Sequence, residues 1–203
     1  MADFAHANTQ FTMHNPDRFI ASCKSWGDFY ERTKAFSTQG AKDAAFERLT
    51  QLYLQTTPEY RTELQDVWLL REVPADIRKR LNLPGPDEGI DLLARTRRGE
   101  YWAIQTKFRS QRDKALNRRE LGTFTSLAFH NCKNIALAVV AHTASRPITK
   151  RHLMPNTVEI GFDKQTWGTT DDADGSTEQH LHKGEVDIPD NRNGNPVQPR
   201  LHP

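Results

Sequence analysis

The order of patterns along the 203 residues predicts an α/β protein, with helices packed on a mixed central sheet. Three observations support this fold class. A long amphipathic helix pattern precedes the strands, and two short apolar segments flanking a turn predict a hairpin. A second helix then leads into a strand that contains no polar residue, and a further strand follows it.

The first third of the chain predicts an arm followed by helices. Asn15-Pro16 is typical of a helix cap and a first helical position. The clearest helix pattern places Ala45, Leu49 and Leu52 at spacings of three to four residues, and Thr57-Pro58 ends it. The expected elements are an arm at residues 1–14 and helices at Asn15 to Ala21, Trp26 to Ala35 and Ser37 to Thr56.

The middle of the chain predicts the sheet. A polar loop at Ser110 to Leu116 leads into a helix capped by Asn117. The other expected elements are a strand at Val67 to Leu70, a helix at Pro74 to Leu83, the hairpin, and strands at Ile135 to Ala141 and Thr157 to Phe162.

The composition changes near Thr169, where Asp, Gly, Asn and Pro become frequent and aromatic residues nearly disappear. Such a segment is typical of a linker that builds no packed core. We therefore expect an arm and short helix at 1–24, one folded domain at 25–168 and a flexible linker at 169–203.

The charge is concentrated in one stretch, although the net charge of +2 alone indicates no polyanionic partner. Residues 95–119 hold nine basic side chains and two acidic ones. A solvated loop is one interpretation, but the position directly after the hairpin favours contact with phosphates. The residues expected to bind such a polyanion are Arg95, Arg97, Arg98, Arg109, Arg112, Lys114, Arg118 and Arg119.

The cysteine content and the apolar segments indicate the compartment. Cys23 and Cys132 are the two cysteines and form no CxxC motif, so reduced thiols and a cytoplasmic location are expected. The N-terminus lacks the apolar core of a signal peptide, and no segment approaches the roughly 18 apolar residues of a membrane span. We expect no membrane partner.

The segment from Asp87 to Lys107 carries the most informative pattern. The three residues Arg97-Arg98-Gly99 are typical of a hairpin loop, which pairs Thr96 with Glu100, so that the numbers of paired residues sum to 196. Asp91 is then expected opposite Gln105, with Lys107 on the same face of the strand as Gln105.

A carboxylate, an amide oxygen and an ammonium in one place suit metal-dependent hydrolysis of phosphodiesters. Mg²⁺ prefers oxygen ligands and takes one or two protein carboxylates. Asp91, Gln105 and the main chain of Thr106 are the expected ligands, with Mn²⁺ as a substitute for Mg²⁺. Lys107 would hold or deprotonate the attacking water, or neutralise the phosphate. The alternative is a surface strand that happens to carry these side chains.

These motifs resemble the PD-(D/E)xK restriction-endonuclease-like superfamily, specifically its Mrr-like branch. That branch has its aspartate in a G-[IV]-D segment, here Gly89-Ile90-Asp91, and often Q-x-K as the second motif, here Gln105-Thr106-Lys107. The resemblance extends over roughly residues 25–168 to the nuclease domains that begin type ISP restriction enzymes and related predicted helicases. The segments that carry it are VWLLREVP from Val67, LNLPGPDEGIDLLA from Leu81 and EYWAIQTKF from Glu100.

The resemblance implies a core of order αβββαβ, with Glu47 on the first core helix facing the metal. A solvent-facing glutamate is the alternative for Glu47, and Asp87 would either join the site or shape the turn. The implied activity is that of a DNA endonuclease, the nuclease domain at 25–168 of an ATP-dependent restriction-modification enzyme. Its helicase or translocase motor and its methyltransferase would lie outside this chain.

The sequence leaves three points about that parent enzyme open. No GxxxxGK[ST] sequence occurs here, so ATP would act only through a downstream motor. Two nuclease domains could meet transiently to break both strands of the duplex. A catalytically silent module that tethers a translocase to DNA is the second hypothesis, because Gln105 stands where an acid would bind metal more tightly.

Overall fold

The computed structural model describes residues 16–85 and 88–162. The expected arm at 1–14, the cap at Asn15, Asp87 and the expected linker at 169–203 therefore lie outside the described residues.

Helices fill the N-terminal part of the described chain. Two of them begin with a side-chain cap, since Ser25 accepts a hydrogen bond from the N–H of Asp28 and Thr38 accepts one from that of Ala41. Pro58 ends the third helix and also occupies the first turn of a fourth, which the sequence reasoning did not predict. The helices are α1 Pro16–Ala21, α2 Trp26–Lys34, α3 Gln39–Thr56 and α4 Pro58–Glu63.

The described strands form one five-stranded sheet in the order β1-β2-β3-β4-β5. The first two pairings are antiparallel and the last two are parallel, which confirms the predicted mixed sheet. The strands are β1 Leu64–Leu69, β2 Leu92–Thr96, β3 Tyr101–Lys107, β4 Ile135–His142 and β5 Thr157–Gly161.

Further helices lie between these strands. α5 covers Ala75–Leu81 and ends at Asn82, which has a left-handed conformation. α6 covers Arg118–Ser126, begins at the predicted cap Asn117 and continues as a π-helical turn at Leu127–Asn131. Short 3₁₀ turns lie at Leu70–Glu72 and Lys150–His152. No helix in the described part of the chain is long and apolar enough to cross a membrane.

The sheet separates two hydrophobic cores, because alternate residues of each strand face opposite sides. On one side Trp102 and Ile104 pack with the aromatic residues of α1 to α3. On the other side Tyr101 and Ala103 pack with α5 and α6. Both faces of β4 are covered in the same way, which explains why its sequence is apolar from Ile135 to Ala141.

The register of the hairpin is the predicted one. Leu92 pairs with Ile104 and Arg95 with Tyr101, so paired numbers sum to 196. The N–H of Thr96 donates to the carbonyl of Glu100 at 2.9 Å, and Gly99 takes a φ of 86° in the turn.

The register departs from the prediction at Asp91. The N–H of Asp91 donates at 2.9 Å to the carbonyl of Ile104, the residue that pairs with Leu92. Two residues of one strand therefore meet one residue of the other, which is the arrangement of a β-bulge. The expectation that Asp91 stands opposite Gln105 is wrong, because the chain is displaced at this point, two residues after Gly89 with a φ of 107°.

Candidate active site

Asp91 lies at the open end of the hairpin, where β2 begins and β3 ends. Its Oδ2 accepts hydrogen bonds from the N–H and the hydroxyl of Thr106, at 2.6 and 3.0 Å. Its main-chain carbonyl accepts the N–H of Leu70 at 2.8 Å. The carboxylate is thus fixed from β3 and its backbone from the end of β1.

The surroundings of Asp91 disfavour its negative charge. Burial raises the pKa of this carboxyl above its ordinary value, and the nearby charge of Asp43 raises it further. The hydrogen bonds from Thr106 and the positive charge of Lys107 act in the opposite direction without cancelling the effect of burial.

Asp43 on α3 is a carboxylate of this site that the sequence reasoning missed. Burial raises its pKa, against a hydrogen bond from Gln39 at 2.8 Å and the charge of Lys107. Asp43 precedes Glu47 by one helical turn, so the two acids share a side of α3. That four-residue spacing is the signal in the sequence that could have identified it.

Glu47 lies farther along α3, towards the turn that follows β1. Its Oε2 forms an ion pair with Nη1 of Arg71 at 3.8 Å. The ion pair is largely open on the Arg71 side, whose side chain is 62% exposed, whereas that of Glu47 is 22% exposed.

Gln105 is buried, with 4% of its surface exposed. Its Nε2 donates to the carbonyl of Gly89 at 2.9 Å. Its Oε1 is buried and has no hydrogen-bond partner among the described residues. Exchanging the two amide atoms would place two acceptors against each other, so Oε1 is left as an unsatisfied acceptor.

Lys107 ends β3 and is half-buried. Its positive charge acts on three carboxylates, those of Asp91, Asp43 and Glu120. Its main-chain carbonyl accepts the N–H of Thr143 at 3.3 Å, which ties the end of β3 to the end of β4. Lys107 therefore lies between α3 on one side of the sheet and α6 on the other.

The donor atoms suit a hard cation such as Mg²⁺, although no group of three or more His, Cys, Asp or Glu within 16–85 and 88–162 is arranged to hold a metal. Mg²⁺ needs one or two carboxylates and otherwise takes neutral oxygens and water. Asp43 and Asp91 supply carboxylates, and the orphaned Oε1 of Gln105 is a neutral donor. The carbonyl of Thr106 points to the same side of β3 as its N–H, which is the side of Asp91.

The basic stretch divides into two places in the structure. Arg95, Arg97 and Arg98 lie at the turn of the hairpin, and Arg97 is six residues from Asp91, or roughly 20 Å along an extended strand. Nε of Arg95 donates to Oδ2 of Asp66 at 2.9 Å.

The other basic residues follow β3, and two of them bind within the protein. Arg109 forms an ion pair with Glu120. Arg112 donates to the carbonyl of Thr143 at 2.7 Å, and its guanidinium lies over the ring of Tyr30 at 5.4 Å. Lys114, Arg118 and Arg119 are instead exposed.

A solved ATP-dependent Type ISP restriction-modification enzyme, LlaBIII, bound to DNA, is 23% identical to this chain with a TM-score of 0.48. The match covers 66% of this chain and 8% of that one, so the chain spans a small part of that enzyme's length. None of the curated proteins matches.

The comparison with models of protein families establishes the family of this chain. The family model Mrr_cat_2, described as restriction endonuclease, matches residues 55–165. This range includes β1 to β5 and the catalytic motifs predicted from the sequence. The predicted relationship to Mrr-like nucleases is confirmed: the chain belongs to the Mrr_cat_2 family of restriction endonucleases.

Proposed function

We propose that this chain is a Mg²⁺-dependent deoxyribonuclease domain that hydrolyses phosphodiester bonds in double-stranded DNA. The observation that carries the proposal is the pair of half-buried carboxylates, Asp43 and Asp91, beside Lys107 at the open end of the hairpin. Each carboxylate is desolvated, and their like charges disfavour ionisation of both. A divalent cation between them would relieve this cost.

Asp91, the Oε1 of Gln105 and the main-chain carbonyl of Thr106 are the proposed ligands, and Asp43 joins them from α3. Glu47 is proposed to assist one turn farther along the helix. When bound, Mg²⁺ or Mn²⁺ supplies a Lewis acid that polarises the scissile phosphate. The two hydrogen bonds from Thr106 orient the carboxylate of Asp91, so that it is held in place before metal binds.

Lys107 is proposed to act on the water and the phosphate. Its ammonium can donate to the attacking water and can neutralise the negative charge that develops on the phosphate oxygens. The three surrounding carboxylates hold this cation at the end of β3, where β2 no longer covers the strand.

The parent protein is proposed to be an ATP-dependent restriction-modification enzyme of the cytoplasm. In that arrangement residues 25–168 form the nuclease domain, 1–24 an arm and short helix, and 169–203 a linker towards a helicase or translocase motor. ATP and a methyltransferase would act through those other parts, and a transient pair of nuclease domains would break both strands. The support for this proposal is the resemblance of the three segments quoted above.

A catalytically silent docking module on the same fold is the second candidate function. Gln105 favours it, since an amide in place of an acid removes one negative charge from the proposed metal ligands. The absence of a three-acid cluster among the described residues points in the same direction. Such a module would bind DNA and leave it intact.

The test is nicking of supercoiled plasmid with Mg²⁺ or Mn²⁺ by the wild type, Lys107→Ala and the control Lys133→Ala. Lys133 is exposed and lies near the end of α6 that is remote from Lys107. We expect the wild type and Lys133→Ala to nick and Lys107→Ala to lose at least about hundredfold in rate. Equal nicking by all three would exclude the role of Lys107. No nicking by any of them, with Mg²⁺ binding independent of Asp91 in calorimetry, would favour the docking module.

A further inference from the structure

The outer face of α6 is polar and has no covering element in the described chain. The helix buries Leu121, Phe124, Thr125 and Ala128 against the sheet. Its opposite face, here named the α6 outer face, is exposed along its length. This face consists of Arg118, Arg119, Gly122, Thr123 and Ser126.

No contact within the described residues explains why position 122 is a glycine. A Cβ added there would meet nothing within 4 Å, and its φ lies outside the left-handed region taken by Gly89 and Gly99. Glycine in a helix interior destabilises the helix relative to alanine. A residue without a side chain is useful at such a position when another molecule must approach the helix closely.

The charge of the α6 outer face suits phosphate. Arg118 and Arg119 present guanidinium groups, which match phosphate oxygens, and Thr123 and Ser126 add hydroxyl donors. The acid of this helix turns away from the face, because Glu120 binds the N–H of Asn117 at 3.0 Å and pairs with Arg109. The face therefore carries no opposing negative charge among its exposed side chains.

The α6 outer face begins next to the candidate active site. Glu120, in the first turn of α6, forms an ion pair with Arg109, which follows Lys107 by two residues. A backbone lying along the helix from Ser126 towards Arg118 would thus reach the open end of the hairpin, where Asp91 and Lys107 lie.

We propose that the α6 outer face binds the phosphate backbone of duplex DNA, with Gly122 at the point of closest approach. The choice of DNA as the partner rests on the proposed nuclease function. Within that function, the proposal distinguishes basic residues that bind DNA from basic residues that stabilise the fold. The polar character of the face argues against a protein partner, which would need apolar anchors at its centre.

The test is binding of a fluorescent 20-base-pair duplex by the full 203-residue chain in EDTA, so that no cleavage occurs. The variant Arg118→Gln/Arg119→Gln removes two charges from the α6 outer face. Lys79→Gln/Lys133→Gln is the matched control, because it removes two exposed basic side chains that lie outside the basic stretch and are not among the residues expected to bind DNA. We expect the first pair to weaken binding on the order of tenfold and to reduce the salt slope by about 2, and the control to change affinity less than about twofold.

Gly122→Leu and Gly122→Ala test the close approach without changing charge. Both should fold, since the position is open, and thermal unfolding verifies this. We expect Gly122→Leu to weaken binding at least about fivefold and Gly122→Ala less, while Gly40→Leu, at another open helical glycine, leaves affinity unchanged.

Two outcomes would overturn the proposal. One is equal weakening of binding by the Arg118/Arg119 and Lys79/Lys133 pairs, which would indicate nonspecific charge attraction. The other is folded Gly122→Leu protein with wild-type affinity. Failure of the nuclease proposal is distinguishable, because it appears as intact DNA with Mg²⁺ while the binding differences in EDTA persist.

Discussion

The two ends of the β2–β3 hairpin are both polar, but their polar groups are satisfied to different degrees. At the turn end, Arg95 binds Asp66 and the hydroxyl of Thr96 accepts the N–H of Glu100 at 3.0 Å. At the open end, the half-buried carboxylate of Asp91 lies within the influence of the charge of Asp43, and the buried Oε1 of Gln105 has no partner among the described residues.

This difference indicates that a ligand would gain more binding free energy at the open end than at the turn end. Buried polar groups are normally paired, and unpaired or mutually repelling ones concentrate at functional sites. The open end has two half-buried carboxylates for the single charge of Lys107, and an acceptor without a partner among the described residues, so a hard cation would supply both the further positive charge and the partner. The turn end needs neither, so the same hairpin is a rigid support at one end and carries the candidate site at the other.

The largest expected effect is a loss of nicking activity that shows which acid of α3 takes part in the candidate site at the open end. Asp43→Asn should reduce nicking by about hundredfold or more, because the carboxylate lies by Asp91 and Lys107, whereas Glu47→Gln should reduce it less than about fivefold. The two variants are matched, since each turns an acid of the same helix into its amide. Plasmid nicking at saturating Mn²⁺ measures both, and the reverse order of effects would assign the role to Glu47.

The next effect separates basic residues that stabilise the fold from those that do not. Arg112→Gln should lower the free energy of unfolding by about 2–3 kcal/mol, because it removes bonds to the carbonyls of Thr143 and Phe162 and the contacts with Trp26 and Tyr30. Arg98→Gln, at the exposed turn end, should stay within about 0.5 kcal/mol of the wild type. Urea unfolding measures both, and equal stabilities would contradict the division of the basic stretch.

The sequence predicts most of the fold because apolar periodicity records burial. β4, covered on both faces, is an unbroken apolar segment and was found with nearly its observed bounds. The pattern predicts β1 at Val67 to Leu70, whereas the strand begins at Leu64, because its first half includes the polar residues Gln65, which is exposed, and Asp66, which is half-buried. Helix α4 was missed because Pro58 was interpreted only as the end of α3.

The part of the candidate site that lies on the hairpin is predictable from local turn geometry. The hairpin register follows from a three-residue turn, which is a local property, and it placed Gln105 and Lys107 on β3. The bulge at Asp91 and the approach of Asp43 depend on tertiary packing of the chain before β2 and of α3 on the sheet. No spacing within the hairpin encodes them, although the positive φ of Gly89 is consistent with a glycine at that point.

The smallest expected effect is a pH dependence of stability that arises at the open end. The pKa of Asp91 is raised in the folded protein by burial, so the folded state binds its proton more readily than the unfolded state does. Its contribution to stability is therefore present below the unfolded pKa near 3.8 and is lost as the pH rises through the higher folded pKa. Asp91→Asn removes this loss, since the amide oxygen can still accept the hydrogen bonds from Thr106.

Denaturant unfolding in EDTA from pH 4 to pH 8 measures this effect as the difference between the Asp91→Asn variant and the wild type. We expect the variant to gain stability relative to the wild type as the pH rises through the folded pKa, after which the difference becomes constant. Asp43 and Glu120 are present in both proteins, so their own titrations largely cancel from the difference. Mg²⁺ should then reduce the difference by stabilising the wild type, since a ligand that binds only the folded state raises its stability. A difference that is independent of pH would mean that the charge of Asp91 is already compensated, and the contrast between the two ends of the hairpin would no longer indicate a cation site.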